Sequence, residues 1–93
     1  MTTQQPQRAV VVTGASTGIG RAIALALDAN GFQVFAGVRK QDDGITLSQE
    51  AGNGLTPVIL DVTDESSIAR AAETVATKAN GRLHGLVNNA GVG

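Results

Sequence analysis

The sequence predicts an α/β fold: a parallel sheet whose strands alternate with helices, β-α-β-α-β-α-β. Three observations carry this expectation. Four short apolar runs recur along the 93 residues, segments of helical periodicity stand between them, and a glycine-rich turn joins the first run to the first helix. Short runs that are apolar throughout suit strands buried on both faces, as in a parallel sheet. Strands that alternate with helices imply right-handed crossovers.

The elements follow in order. Ala9-Val10-Val11-Val12 is β-branched and stops at Thr13-Gly14, so it reads as the first strand. From Ile19 to Asn30, apolar residues at Ile19, Ile23, Ala26 and Leu27 recur at helical spacing among strong helix formers. Gly31 stands where a helix end needs a left-handed residue. Gln33 to Val38 is the second strand. The stretch from Arg39 to Gly54 is polar and broken by Gly44, Gly52 and Gly54, with a short helix expected over Ile45 to Ala51. Pro57-Val58-Ile59-Leu60 reads as the third strand, with the proline at its entry. Thr63 is then expected to cap a helix whose first turn carries Asp64 and Glu65 at the positive end of the dipole. That helix bears an apolar stripe of Ile68, Ala71, Ala72, Val75, Ala76 and Ala79, ends at Asn80-Gly81, and leads into a fourth strand, Leu83 to Val87.

Composition narrows the function classes. The chain is 42% hydrophobic and 16% charged with a net charge of -1, which argues for a packed interior and against a basic nucleic-acid binder. It contains no cysteine, which excludes a disulfide framework, a thiol nucleophile and a thiolate metal site. It contains no tyrosine and no tryptophan either. No run reaches the roughly 18 apolar residues of a membrane span, and Met1 to Gln7 reads as a flexible polar lead-in without the apolar core of a secretory signal. The expected organisation is residues 1–7 as that lead-in and 8–93 as one partial domain. A cytoplasmic location is expected from the absence of targeting signals.

Chemistry concentrates in Thr13-Gly14-Ala15-Ser16-Thr17-Gly18-Ile19-Gly20. A glycine-rich turn that opens a helix presents backbone N–H groups and the positive dipole end to an anion. Gly14 permits the tight turn, Gly18 lets a pyrophosphate approach the backbone, and Gly20 allows close packing of helix on strand. No Gly-Lys-Ser/Thr follows, so a phosphate loop of the NTPase type is excluded. The competing reading is a plain structural turn.

This segment resembles the cofactor signature of the short-chain dehydrogenases/reductases. Asp61-Val62 and Asn88-Asn89-Ala90-Gly91 match two further elements of that family in the same order. The text from Val34 to Arg39 and from Leu60 to Thr63 resembles members acting on retinoids, steroids or other hydrophobic alcohols. The resemblance implies a Rossmann-type sheet in the spatial order 3-2-1-4, truncated here after its fourth strand. It implies cofactor contacts from Gly14, Ser16, Thr17, Gly18, Ile19, Gly20, Arg39, Asp61, Val62, Asn88, Ala90 and Gly91. Asp61 would accept from the adenine amine with the Val62 backbone against the ring, and the turn at Asn88 would pass the cofactor ribose. Asn89 has a structural alternative, holding the central strand.

The cofactor preference has a physical argument. Sites that select NAD usually place an acid about 20 residues beyond the glycine motif, at the end of the second strand. That position falls at Val38, and Arg39 follows it. A guanidinium there binds a 2′-phosphate through charge-assisted hydrogen bonds, so NADP is expected over NAD. By the resemblance, Thr17 adds a hydroxyl to the same phosphate. The alternatives remain a solvated loop cation for Arg39, beside Lys40, and a support for the helix start at Thr63 for Asp61. His84 reads as a surface residue, and Asp64, Glu65 and Glu73 as a solvated face without metal spacing.

In the family, hydride passes between the nicotinamide and a carbonyl or alcohol carbon. A tyrosine, a lysine four residues on, a serine and an asparagine beyond the fourth strand do the proton chemistry. None of the tyrosine-dependent machinery can lie in a chain without tyrosine, so residues 1–93 alone are expected to be inactive. An alcohol or carbonyl substrate, and a homo-oligomer, belong to the intact protein. The alternative function is a stand-alone dinucleotide-binding or interaction module without catalysis.

Overall fold

The computed structural model describes residues 8–80 and 83–89. The lead-in 1–7, Gly81, and the expected contacts Ala90 and Gly91 lie outside the described residues. Seven elements alternate: β1 (Ala9–Val12), α1 (Gly18–Ala29), β2 (Gln33–Val38), α2 (Gln41–Glu50), β3 (Leu55–Ile59), α3 (Glu65–Lys78) and β4 (Leu83–Val87). The strands form one sheet in the order β3-β2-β1-β4, and every pairing is parallel.

The apolar runs of β1 and β2 divide strictly by parity, because successive strand side chains point to opposite faces. Val10, Val12, Val34, Ala36 and Val38 face α1 and α2, where they pack with Ala24 and Leu47. Ala9 and Phe35 face α3 and pack with Ala71, Val75 and Ala79. Phe35 is fully buried, aligned with Val11 of β1. Helices on both faces account for the continuous apolar text of these strands.

Four expectations need correction. The second helix spans Gln41–Glu50 rather than 45–51, and Gly44 lies inside it. Gly44 is there for contact: a Cβ would come within 2.9 Å of Pro57 Cβ and 3.3 Å of Val38 Cγ2. The third strand begins at Leu55, so Pro57 sits within it instead of at its entry. Leu60 N–H donates to Val38 O, and by alternation residue 57 turns its nitrogen to the outer edge, where no ladder bond is lost. The cap of α3 is Asp64, not Thr63: the Asp64 carboxylate accepts from Ser66 N–H at 2.9 Å and Ser67 N–H at 3.4 Å. The α3 stripe is only half covered. Ala71, Val75 and Ala79 are buried, whereas Ile68, Ala72 and Ala76 are exposed along a groove of about 540 Å³ beside Val11, Leu60 and Leu86.

At the end of the sheet where the helices return into strands, Asp28 of α1 accepts from the N–H groups of Gly52 and Gly54, the latter at 3.0 Å. Arg21 pairs with Glu50 on the same side of the molecule. These contacts tie α1 to the end of α2 and to the segment between α2 and β3.

Candidate functional site at the carboxyl edge of the sheet

All four strands run in one direction, so the residues that follow them share one rim. Gly14 follows β1, Arg39 follows β2, Asp61 stands just after β3, and Asn88 follows β4. Open α/β sheets bind ligands at this edge, at the point where the strand order reverses. Here the reversal lies between β1 and β4.

The turn from β1 into α1 is built by two left-handed glycines, Gly14 at φ 61 and Gly18 at φ 60. Between them Ala15 is fully buried, and its N–H donates to Gly37 O at 2.9 Å. The turn is therefore pinned to β2. Ser16 is half-buried, while Thr17, Gly18 and Ile19 are exposed. Thr17 is the N-cap residue but its side chain makes no cap bond, and no acid occupies the first turn. The opening N–H groups of α1, which no helix can satisfy internally, thus meet neither a side-chain cap nor a resident carboxylate.

Gly18 and Gly20 differ in the space around them. A Cβ on Gly18 would meet nothing within 4 Å, so the backbone is open to an approaching group. A Cβ on Gly20 would lie 2.2 Å from Gly14 O and 2.4 Å from Asn89 Nδ2, so helix and strand turn touch there. Ile19, 71% exposed, stands beside this junction.

Across the reversal point, β1 and β4 are tied by a residue that the sequence reading did not single out. Thr13 N–H donates to Val87 O at 2.9 Å. Its hydroxyl accepts from Asn89 N–H at 2.8 Å and has both Val87 O, at 3.3 Å, and Asn88 Oδ1, at 3.2 Å, within donating reach. Asn89 Nδ2 also donates to Gly14 O at 3.3 Å. This bonding fits the strand-holding reading of Asn89, and Asn88 is exposed beside it.

At the other side of the rim, Arg39 Nη2 lies 3.7 Å from Asp61 Oδ2. Asp42 and Asp43 occupy the first turn of α2, where they complement its dipole. Asp61 is held from both ends. Its N–H donates to the buried Ser67 Oγ at 2.9 Å, and its Oδ1 accepts from Thr63 N–H at 3.0 Å and Thr63 Oγ1 at 2.6 Å. The Thr63 hydroxyl and then the Thr63 N–H lower the Asp61 pKa from 3.8; burial opposes them, and the Arg39 charge adds the smallest lowering. Val62 is exposed next to it. Thr63 is a second residue whose place in the site was missed, because a threonine before a helix reads first as a cap. Among the described residues no cluster of metal-ligating side chains occurs, and no helix is long and apolar enough to cross a membrane.

Residues 8–93 match a family model described as short chain dehydrogenase. The chain is 41% identical over 87 residues to YbbO, an uncharacterized oxidoreductase of Escherichia coli K12, across 94% of this chain and 31% of that protein. It is 42% identical over 84 residues to retinol dehydrogenase 5 of Mus musculus, across 89% of this chain and 26% of that protein. Among solved structures, an actinorhodin polyketide ketoreductase with NADPH superposes with a TM-score of 0.84 at 32% identity, over 97% of this chain and 35% of that one. The chain spans about a third or less of the length of these relatives.

Proposed function

The chain belongs to the short-chain dehydrogenase family, and from that premise we propose that residues 8–93 form the NADP(H)-holding portion of an oxidoreductase that interconverts an alcohol and a carbonyl. The observation that carries the reading is the open, uncapped start of α1 at Gly18, set beside the tight Gly14–Gly20 contact at the reversal point of the sheet. Backbone N–H groups there bind the cofactor pyrophosphate. Arg39 takes the 2′-phosphate with help from the Thr17 hydroxyl. Asp61 and Val62 flank the adenine, and Asn88 lies along the ribose, with Ala90 and Gly91 as further contacts by family likeness.

When bound, the cofactor supplies or accepts the hydride. The residues described here hold it against the carboxyl edge of the sheet and keep its charged groups paired. No tyrosine stands in residues 1–93, so proton transfer to the substrate is assigned to residues outside them. The likeness to retinol dehydrogenase 5 favours a hydrophobic alcohol or its carbonyl as substrate.

Titration of the intact protein with NADPH and NADH, with and without Arg39→Ala, tests the cofactor reading. The substitution is expected to weaken NADPH by about tenfold or more, as loss of a charge-assisted pair does, with little change for NADH. Equal loss for both cofactors would refute the assignment of Arg39. Failure of either dinucleotide to bind would refute the site.

A further inference from the structure

We propose that Thr63 is a positioning residue of the cofactor site: by holding one oxygen of Asp61, it keeps that carboxylate from closing on Arg39 and leaves the guanidinium available for a 2′-phosphate. The inference rests on the NADP(H) reading above and adds to it a residue that acts through another.

The two oxygens of Asp61 have separate partners. Oδ1 takes both bonds from Thr63, to its N–H at 3.0 Å and its hydroxyl at 2.6 Å. Oδ2 faces Arg39 Nη2 at 3.7 Å, within ion-pair range but beyond a direct hydrogen bond. The carboxylate therefore attracts the guanidinium toward the end of β3 without occupying its donors. Charge-assisted pairs close to about 2.7–2.9 Å when both groups are free to rotate, and arginine then engages a carboxylate through two bonds. An unleashed Asp61 would rotate onto Arg39 in that way and compete with the incoming phosphate.

The Thr63 hydroxyl is not needed to begin α3. That helix is capped by Asp64, whose carboxylate accepts from Ser66 N–H and Ser67 N–H. The Asp61 backbone is fixed independently by Ser67 Oγ. The hydroxyl of Thr63 thus has a geometric consequence at the carboxylate of Asp61 and none at the helix start. Thr63 is exposed, so a side chain of the same shape is accommodated without repacking.

The test compares NADPH and NADH dissociation constants in the intact protein for Thr63→Val, Thr63→Ser and Arg39→Ala, and for Thr63→Val combined with Arg39→Ala, with melting temperatures alongside. Thr63→Val is expected to weaken NADPH by about fivefold, the scale of one ordinary net hydrogen bond, and NADH by less than about twofold. Thr63→Ser, which keeps the hydroxyl, is expected to restore the parent preference. With Arg39 already replaced, Thr63→Val is expected to leave the ratio of the two constants unchanged. Should the valine variant melt early, Thr63→Ala supplies the same comparison with no added bulk. An unchanged preference in Thr63→Val, while Arg39→Ala shifts it, overturns the role of Thr63 alone. If Arg39→Ala leaves the preference unchanged, the NADP(H) reading falls and this proposal with it.

Discussion

Alanine at Gly18 and alanine at Gly20 should fail in opposite ways, although the two positions are one residue apart. At Gly20 a Cβ would sit 2.2 Å from Gly14 O and 2.4 Å from Asn89 Nδ2. The nearer obstacle is backbone, so α1 must move away from the β1 turn as a body. Overpacking of this kind costs about 1–3 kcal/mol, and an unyielding carbonyl places Gly20→Ala near the upper end. At Gly18 the only structural cost is the positive φ of 60, about 1–2 kcal/mol for a residue with a Cβ, since nothing lies within 4 Å. The proposed site puts the pyrophosphate on the open side of Gly18, so Gly18→Ala should lose at least about tenfold in NADPH affinity, or 1.4 kcal/mol. Thermal melting and NADPH titration of both variants make the comparison. Gly20→Ala should show the larger fall in melting temperature. Gly18→Ala should keep more of its stability and lose affinity out of proportion to it. Parent-like affinity in a folded Gly18→Ala protein would refute the placement of the pyrophosphate at this turn.

Asp28→Ala removes the acceptor for the Gly52 and Gly54 N–H groups and should cost about 1–2 kcal/mol by urea unfolding. Its position at the opposite end of the sheet predicts unchanged cofactor affinity, and a changed affinity would contradict that placement. Asp64→Ala should lower stability by about 1 kcal/mol through loss of the α3 cap, and an unaltered urea midpoint would refute the capping assignment. The Asp61 carboxyl titrates below 3.8 in the folded chain, so the native state holds its proton less tightly than the unfolded one. The resulting stability is complete above that value and is lost as the pH falls through the lower native pKa. Asp61→Asn should therefore flatten the acid limb of a stability profile taken from about pH 5 to about pH 2, and an unchanged limb would count against the Thr63 and Arg39 contacts.

The alternation of strands and helices and the glycine turn that opens α1 were legible because both rest on local pattern, whereas the strand order came with the family resemblance. β1 and β2 are apolar on both faces, with Val10, Val12, Val34 and Ala36 on one and Ala9 and Phe35 on the other, and only a sheet covered on two faces needs that. What stayed hidden depended on contacts between distant segments. Gly44 reads as a helix breaker until Pro57 is seen against it, at 2.9 Å from where its Cβ would stand. Thr63 and Asp64 are both good caps by residue type, and the cap falls to Asp64 because its carboxylate takes the Ser66 and Ser67 N–H groups while the Thr63 hydroxyl turns to Asp61. The stripe of α3 was read at full width, but the four strands cover only its Ala71–Val75–Ala79 side. Periodicity reports which residues favour burial and cannot report how much surface is there to bury them.

The reversal of strand order explains why so few side chains suffice at this rim. From β1 the chain steps outward to β2 and β3, then returns across the sheet to place β4 on the other side of β1. No helix crosses directly between β1 and β4 at their carboxyl ends, so their following turns diverge and leave a crevice. Thr13 closes the floor of that crevice by bonding Val87 and Asn89, and Asn89 in turn bonds Gly14 O. With the floor fixed from β4 and Ala15 pinned to Gly37 of β2, the turn into α1 has little freedom left. Its N–H groups are then aimed before a ligand arrives, which lowers the ordering cost of binding an anion there. Thr13→Val keeps the shape and the backbone bond to Val87 but removes the acceptor for Asn89 N–H. It should loosen the turn and release Asn88 Oδ1 while leaving Arg39 and Thr17 in place. The expected signature is weaker binding of NADPH and NADH by a common factor. A loss confined to NADPH would place Thr13 with Arg39 instead and defeat this account of the crevice.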